Sequence, residues 1–258
     1  MTAVADLLCT VAHPDDESFG LGSLLAGAVA AGARVVLVCA TRGEAGEDHT
    51  GAGRTSDVLG AVRERELRAA AAELGVAELE VLGFADSGWD GPAPANALIS
   101  GGEALVTAVH QALGRHRPRV VVTLDPTGSD GHRDHAAIGA ATTTAFTRHR
   151  DATTLYHWCL VRSVMDRWVS ERGSDAGVYA SPRLGRPDAD ITTVVDGAAV
   201  LDVRRRAIAA HASQGSPFLG LSSDLEAAFL TRDHLVRVVP PWPGGPREQT
   251  LAGLSPAH

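Results

Sequence analysis

Short apolar segments alternate with longer helix-like segments through the first half of the chain. The apolar segments are rich in Leu and Val and span residues 6–12, 34–41, 78–84 and 119–125. The segments with the composition of helices are residues 21–32, 57–74 and 103–115. Strands that are apolar throughout are buried on both faces, and their alternation with helices is typical of a parallel sheet that helices cover on both sides. We therefore predict an α/β fold with a mostly parallel sheet.

The pattern is less regular after residue 150. Three segments have the apolar, β-branched composition of strands, residues 153–161, 190–196 and 234–239. Helices are predicted near residues 163–171, 199–212 and 223–230, and the Pro- and Gly-rich tail is predicted to be irregular or packed on the surface. We expect residues 1–150 to carry the functional site and residues 151–258 to form a smaller C-terminal α/β portion that completes the same domain.

Composition narrows the class of protein. A content of 45% hydrophobic and 21% charged residues is typical of a soluble globular protein, and the net charge of -8 argues against nucleic acid as a partner. No apolar run approaches the length of a membrane span, and no basic residue precedes Arg34 as a signal peptide requires. The three cysteines lie in apolar segments without C-x-x-C spacing. We therefore predict a cytoplasmic protein, and its Ala-rich helices would permit self-association.

A polar cluster follows each of the four apolar strands of the first half. The sequence HPDDE (13–17) follows the first strand, the Gly-rich loop 42–56 the second, Asp86 the third and GSDGHRDH (128–135) the fourth. Ligands of parallel sheets bind beyond the carboxyl ends of the strands. The four clusters therefore predict a single functional site at one edge of the sheet.

Residue types in two of these clusters are those of a metal site. His13 and Asp16 are three residues apart where a strand turns into a helix, and His132 and His135 have the same spacing where a later helix begins. Adjacent carboxylates repel each other and resist burial unless a cation shares the site. Two histidines and one carboxylate with open coordination positions are typical of a catalytic divalent metal, zinc first.

Simpler explanations exist for both clusters. Acids near a helix start can cap the helix, and histidines in a polar loop can be solvated. Two adjacent acids behind a rigid His-Pro turn exceed what a cap requires.

These residues suggest metal-assisted hydrolysis of an amide or an ester. With His13, Asp16 and His135 as ligands, Asp15 is free to take a proton from a metal-bound water. His132 would hold a developing oxyanion or protonate the leaving amine. Asp134 would orient the His132 imidazole.

The chain resembles the PIG-L (LmbE-like) family of metal-dependent N-deacetylases. The resemblance rests on AHPDDESFG (12–20) and GHRDHAAIG (131–139) and extends over about residues 6–214. Further matching segments are TRGEAGE (41–47), RERELRAAAAELGV (63–76), DSGWDG (86–91) and AIAAHASQ (207–214). It implies a Rossmann-like fold and N-acetylglucosaminyl substrates or related amides, near the mycothiol-pathway branch of deacetylases and amidases.

The resemblance also implies roles for individual residues. It assigns the metal to His13, Asp16 and His135, base catalysis to Asp15 and the electrophilic or acid role to His132. Substrate contacts are implied for Arg63, Asp86 and His211. Some relatives have a tyrosine where this chain has Asp130, so no acid role of that tyrosine is transferred. The metal is expected to be Zn²⁺, although availability in the cell can favour Fe²⁺ or another divalent ion.

Several functions are compatible with this residue set. The main hypothesis is a hydrolase that releases acetate from an N-acetylated sugar or sugar conjugate, with an amidase of a sugar-thiol conjugate as its closest alternative. An Fe(II) oxygenase uses similar ligands on a different fold, and a silent sugar-binding relative would keep the fold without turnover. Gly20 and Gly22 lack the third glycine of a dinucleotide-binding motif. Residues 42–56, 85–101 and 172–189 are expected to shape the pocket, with Trp89 either as a platform for a sugar ring or as an anchor of its loop.

Overall fold

Seven strands form one sheet in the computed structural model, which describes residues 4–149, 152–180 and 184–254. The strands are β1 (Leu7–Val11), β2 (Val35–Cys39), β3 (Glu78–Val81), β4 (Val120–Leu124), β5 (Thr154–Trp158), β6 (Thr193–Asp196) and β7 (Arg232–Val239). The α-helices of the described residues are α1 (Asp16–Phe19), α2 (Gly22–Ala30), α3 (Ser56–Leu74), α4 (Gly102–His116), α5 (Arg133–Arg148), α6 (Arg162–Arg172), α7 (Leu201–Ala210) and α8 (Ser223–Leu230).

The strand order explains why the loops meet at one edge. The order is β3-β2-β1-β4-β5-β7-β6, and the first five strands are parallel. β7 and β6 pair antiparallel with their neighbours, so the C-terminal strands extend the same sheet. β1 lies between β2 and β4, where the chain reverses its direction of travel across the sheet. A crevice opens at such a switch point, and the loops after β1 and β4 border it.

The α/β fold with a mostly parallel sheet is confirmed. All residues of β1, β2 and β4 are buried, as expected for strands covered on both faces. Helices α4 and α5 pack on each other, and α7 packs against both α2 and α3. Each predicted strand and helix is present to within a few residues. None of the helices in the described ranges has the length and apolar character needed to cross a bilayer.

Some predictions fall outside the described residues. The expected boundary between residues 150 and 151, residues 181–183 of the predicted pocket segment, and residues 255–258 of the tail are among them. The described part of the tail, residues 240–254, contains no helix or strand, as predicted.

The short helix α1 was not predicted as a separate element. The acids of HPDDE form the one-turn helix α1 directly after β1, before the longer helix α2. The turn forms because a carboxylate oxygen of Asp16 accepts hydrogen bonds from the backbone N–H groups of Ala12 and His13, at 3.0 and 2.9 Å. This contact folds the chain back at the end of the strand and fixes where the Asp16 side chain points.

A buried arginine on α7 holds this turn in place. Arg204 is 1% exposed and donates to the backbone oxygens of Ser18, Phe19 and Gly20, at 3.0, 2.6 and 2.8 Å. Carbonyls at the end of a helix lack partners within the helix, and the guanidinium supplies them. Its other contacts include the carbonyls of Phe229 and Leu230 at the end of α8 and the carboxylate of Asp233 at 3.6 Å.

The glycines near α1 make room for these contacts. A Cβ on Gly22 would lie 2.7 Å from Cγ of Arg204, and a Cβ on Gly20 would lie 2.7 Å from the backbone oxygen of Asp16. Close packing therefore explains the Gly-x-Gly sequence without a dinucleotide.

Replacing Arg204 tests this anchoring role. We expect Arg204→Met to lower the free energy of unfolding by about 3–5 kcal/mol, because it removes the cationic partner of the buried Asp233 and a shared donor to the carbonyls at the end of α1. The control is Arg205→Met, which removes an exposed ion pair with Glu226 and should change stability by no more than about 1 kcal/mol. Urea unfolding curves measure both values, and equal losses in the two variants would contradict the assignment.

Candidate active site

The loops after β1 to β4 border one cavity of about 990 Å³. His13, Asp15 and Asp16 lie in the first of these loops. The residues that the other three loops contribute are Ala45, Gly46, Glu47 and His49 after β2, Asp86, Gly88, Trp89 and Asp90 after β3, and Asp130, His132 and His135 after β4. The predicted convergence of four polar clusters at one edge of the sheet is therefore what the structure shows.

Each of two site histidines has a carboxylate behind its ring. Nε2 of His13 lies 3.1 Å from Oδ2 of Asp134, and Nδ1 of His135 contacts Oδ2 of Asp130. A ring nitrogen that donates its proton to a carboxylate leaves the other nitrogen as an acceptor, and this arrangement orients histidines that bind metals. The acceptor nitrogens are then Nδ1 of His13 and Nε2 of His135.

Three acceptor groups face one another at the centre of the site. Nδ1 of His13 lies 3.2 Å from Nε2 of His135, which lies 3.1 Å from Oδ1 of Asp16. Oδ2 of Asp16 lies 3.9 Å from Nδ1 of His13. Lone pairs this close repel unless a cation or a proton lies between them. Zinc–nitrogen bonds of about 2.0–2.1 Å in a tetrahedral site separate the ligand atoms by roughly 3.3 Å, so these side chains fit a divalent metal.

His132 belongs to a second grouping of potential ligands. Single nitrogens of His13, His132 and His135 lie within 4.8 Å of one another. The His132 side chain also caps α5, because its Nδ1 accepts a hydrogen bond of 3.1 Å from the backbone N–H of Asp134. The free nitrogen of His132 is therefore Nε2. Both candidate ligand sets contain His13 and His135, and they differ in whether Asp16 or His132 is the third member.

When no metal is bound, protons on two site histidines supply the positive charge that the surrounding carboxylates favour. Burial lowers the pKa of His13, but hydrogen bonds to Asp134 and Asp86 and the charge of Asp16 outweigh it and raise the pKa to about 9. Burial also opposes protonation of His135, yet Asp130 and Asp16 hold its pKa well above the usual range. The carboxylates around these two rings therefore create a site that favours positive charge.

Asp15 has an unusual backbone conformation. Its φ of 115° lies in a region that non-glycine residues rarely adopt and that costs about 1–3 kcal/mol. Its Oδ2 accepts a hydrogen bond of 2.9 Å from Nη2 of Arg63. Burial raises the pKa of Asp15 and the Arg63 charge opposes it, with a resulting pKa of about 6. A carboxylate with a pKa near the working pH is suited to general base catalysis.

The neighbourhood of His132 favours a neutral ring. Burial and the nearby charges of His13 and His135 lower the pKa of His132 to about 4. Because Nδ1 accepts the backbone hydrogen bond, the proton of the neutral ring resides on Nε2. The side chain can therefore donate a hydrogen bond into the cavity.

The structure corrects the role predicted for Asp134. Its carboxylate accepts hydrogen bonds from Nε2 of His13 and from the backbone N–H of Ser87, at 3.1 and 2.9 Å. It is the backbone N–H of Asp134 that reaches His132. The reason is the helix start: capping turns the His132 ring toward the first turn of α5, while the Asp134 side chain points toward β1. Asp134 therefore orients His13.

The three residues expected to contact substrate are all buried. Arg63 and Asp86 are each 4% exposed and border the cavity, whereas the His211 side chain has no exposed surface and does not line it. Arg63 donates to the backbone oxygens of Gly43 and Pro14 at 2.6 and 2.7 Å. His211 contacts Glu17 at 2.6 Å. As placed here, His211 cannot contact substrate directly, which corrects that prediction.

The Arg63 guanidinium leaves no room for a side chain at two glycines of the loop after β2. A Cβ on Gly43 would lie 2.5 Å from the guanidinium carbon of Arg63, and one on Gly46 would lie 2.2 Å from its Nη1. The loop therefore wraps the guanidinium closely and holds it against Asp15.

Sequence reasoning missed several residues of the site. Asp130 was noted as a departure from relatives, and its function as the carboxylate behind His135 became visible in the structure. An acid close in sequence to a predicted histidine ligand was the available signal. In the sequence, Glu17 is simply the last acid of HPDDE. In the structure, it is fully buried behind Asp15. Tyr179 borders the cavity from the segment predicted to shape it.

Aromatic residues form one wall of the cavity. The Trp89 ring makes edge contacts with His132 and Tyr179, at centroid distances of 5.2 and 5.0 Å. Tyr179 in turn contacts Trp168 at 5.6 Å. Burial, together with the charges of Asp130, Asp15 and Asp16, raises the pKa of Tyr179 to about 12.

Comparisons with known proteins place the chain in a family. Residues 8–146 match the family described as PIG-L: GlcNAc-PI de-N-acetylase. A Rhodococcus opacus (strain B4) protein named 1D-myo-inositol 2-acetamido-2-deoxy-alpha-D-glucopyranoside deacetylase is 36% identical, over 90% of this chain and 91% of that protein. A protein of the same name from Acidothermus cellulolyticus is 36% identical over 86% of this chain and 85% of its own length.

Solved structures show the same fold at lower identity. The N,N'-diacetylchitobiose deacetylase of Pyrococcus horikoshii has a TM-score of 0.62 at 18% identity, covering 91% of this chain and 84% of that chain. The 4-carboxy-2-hydroxymuconate hydratase of Pseudomonas putida KT2440 has a TM-score of 0.63 at 17% identity, covering 95% and 99%. A deacetylase and a hydratase thus share the fold, and the chemistry has to be argued from side chains.

Two substitutions distinguish the candidate ligand sets. In Asp16→Asn the single amide oxygen must stay with the N–H groups of Ala12 and His13, which turns the NH₂ group toward the metal. We expect at least about a tenfold loss of zinc affinity. His132→Gln should keep its zinc, as measured by elemental analysis after dialysis. The opposite pattern would make His132 the third ligand.

Zinc affinity should increase as the pH rises from 7 to 9. The pKa of His13 in the metal-free protein is about 9, so the ring is protonated at pH 7 and zinc must displace that proton. Each displaced proton strengthens the apparent affinity by up to about tenfold per pH unit. Competition with a chelating indicator measures the dependence. Asp134→Asn, which replaces a carboxylate acceptor that raises this pKa with a neutral amide oxygen, should flatten it, and an unchanged slope would contradict the explanation.

Proposed function

Because the chain belongs to the PIG-L family, we propose that it is a metal-dependent hydrolase that removes the acetyl group from an N-acetylglucosaminyl substrate. The observation that carries the proposal is the arrangement of His13, Asp16 and His135 around one point, with Asp15 and His132 beside it. The products are acetate and a free amine.

The relatives suggest the first substrate to test. Proteins at 36% identity over most of the chain are named as deacetylases of 1D-myo-inositol 2-acetamido-2-deoxy-alpha-D-glucopyranoside. We propose that this chain acts on the same class of compound, an N-acetylglucosamine linked to a polyol.

His13, Asp16 and His135 would hold the metal, with zinc as the first candidate and Fe²⁺ or another divalent ion as alternatives. A divalent cation in such a site polarises the amide carbonyl and makes water a better nucleophile near neutral pH. Asp134 and Asp130 keep the two imidazoles in the tautomers that binding requires.

Asp15 would act as the base. Its carboxylate accepts the proton of the attacking water while the water oxygen bonds to the carbonyl carbon. The C–N bond then breaks, and the leaving nitrogen requires one proton, which the protonated Asp15 can return. Arg63 fixes the carboxylate through its 2.9 Å hydrogen bond.

His132 would stabilise the carbonyl oxygen as it becomes negative. The lowered pKa of about 4 favours a neutral ring whose Nε2–H donates a hydrogen bond. This supports the electrophilic role over that of a proton donor, because the ring carries no extra proton near neutral pH.

The cavity has room for more than a sugar. Its volume of about 990 Å³ is at the upper end of small-molecule sites. Trp89 lies beside His132, where a sugar ring would sit, and Asp86 borders the same space. The far wall is apolar and includes Met165, Trp168 and Phe218. That wall favours the second candidate function, amide hydrolysis of a sugar conjugate that carries an apolar group.

Location, association and domain organisation are proposed from the sequence. We place the protein in the cytoplasm, allow for its association with further copies, and treat residues 1–150 and 151–258 as parts of one domain.

Acetate release with and without metal tests the function. We expect the zinc-loaded protein to release acetate from the inositol-linked N-acetylglucosaminide, and exhaustive chelation to abolish the activity. Asp15→Asn should lower kcat by on the order of 10²–10⁴ without loss of zinc. Full activity after chelation would sink the proposal. Faster turnover of a conjugate with an apolar group would favour the amidase, and oxygen consumption would favour an Fe(II) enzyme.

A further inference from the structure

The buried pair Glu17 and His211 lies directly behind the proposed base. We propose that this pair holds the Asp15 backbone in its catalytic conformation, so that His211 acts on the reaction through Asp15 without touching substrate. The inference rests on the proposed function for its kinetic readout, but its structural basis is independent of the substrate.

The first link joins Glu17 to Asp15. Oε2 of Glu17 accepts a hydrogen bond of 3.0 Å from the backbone N–H of Asp15. This is the residue whose φ is 115°, a conformation that side-chain-bearing residues adopt only when the surroundings enforce it. The Glu17 carboxylate is one of those constraints, since a relaxed backbone would turn the N–H away from it.

The second link joins His211 to Glu17. The Glu17 side chain has no exposed surface, and a carboxylate at such a site needs donors. Oε1 accepts from Oγ of Ser18 at 2.6 Å and lies 2.6 Å from Nε2 of His211. Ser18 belongs to the same turn, whereas His211 comes from a distant part of the chain. His211 is therefore the contact that fixes Glu17 to the scaffold.

The third link anchors His211. It follows directly after α7, seven positions beyond Arg204, so both side chains lie on the same face of that helix. Arg204 holds the carbonyls at the end of α1, and His211 holds the carboxylate in its middle. Arg204 on α7 and His211 directly after it thus bind the turn at two points.

Asp15 is held from the opposite side by Arg63. Arg63 donates to the carboxylate of Asp15 and to the backbone oxygen of Pro14, at 2.9 and 2.7 Å. The carboxylate direction is therefore set by Arg63 and the backbone conformation by Glu17. Loss of the His211 contact would free Glu17 to rotate and would let Asp15 relax while Arg63 stays in place.

Two substitutions of His211 with opposite hydrogen-bonding ability test the proposal. His211→Leu removes the donor to Glu17. We expect kcat to fall about 10- to 100-fold, as is typical when a residue that positions a site residue is lost, while KM and zinc content stay nearly unchanged. His211→Gln retains an N–H that can reach Glu17 and should restore most of kcat. A rise in KM with kcat retained would instead mean that His211 contacts substrate, and absence of rescue by Gln would also overturn the proposal.

His116 provides a matched control. It is fully buried, its Nε2 lies 2.6 Å from Oε1 of Glu80, and it lies at the end of α4 away from the cavity. His116→Leu should lower the melting temperature as His211→Leu does, yet leave kcat unchanged. Equal losses of kcat in the two variants would show a general effect of destabilisation.

A double-mutant cycle separates positioning from structure. In an Asp15→Asn background, His211→Leu should have less than about a twofold further effect, because the residue through which it acts is already disabled. An undiminished effect would overturn the proposal. If the wild-type protein released no acetate from any substrate, the proposed function would fail alone. Crystal structures of the wild-type protein and His211→Leu would still decide the inference, which requires the φ of Asp15 to change.

Discussion

Compensation of buried negative charge is the constraint on which this site depends. Asp15, Asp16, Asp86, Asp130 and Asp134 surround two imidazoles within a single crevice, and most of them are buried. Carboxylates in such surroundings are unstable without positive charge or hydrogen-bond donors. Arg63 supplies fixed charge for Asp15, backbone N–H groups serve one oxygen of Asp16, and the histidines take up protons or a metal. The raised pKa values of His13 and His135 follow from this surplus of acids.

The fold positions the loop that carries these acids. β1 ends at the switch point of the sheet, and the chain turns at once into α1, whose carbonyls Arg204 holds. Small residues permit the close approaches, since Gly22 lies against Arg204 and Gly43 against Arg63. Side chains remote in sequence thereby add contacts to a turn that Asp16 also stabilises locally. The strained backbone of Asp15 is thereby held beside the cavity.

Division of labour among similar residues follows from these contacts. Two of the site histidines have carboxylates behind their rings and acceptor nitrogens at the centre, whereas His132 has a backbone donor behind its ring and presents an N–H. Asp16 is bound by backbone N–H groups and Asp15 by a guanidinium. Identical side chains therefore present different atoms to the cavity, according to what lies behind them. The same fold can serve other chemistry when these partners differ.

The sequence by itself determined the α/β architecture and the location of the site. Apolar strands and Ala-rich helices have periodicities that are local properties of the chain, and parallel strands place their carboxyl ends at one edge. The partners of Asp134 and His211 were decided only by the tertiary structure, because each contact joins positions that are far apart in the sequence and meet only when the elements pack. Burial decided which side chains face the cavity. Whether a side chain faces a cavity or another side chain is a property of the assembled core, which is why the family resemblance implied a substrate contact for His211 and the structure places it against Glu17.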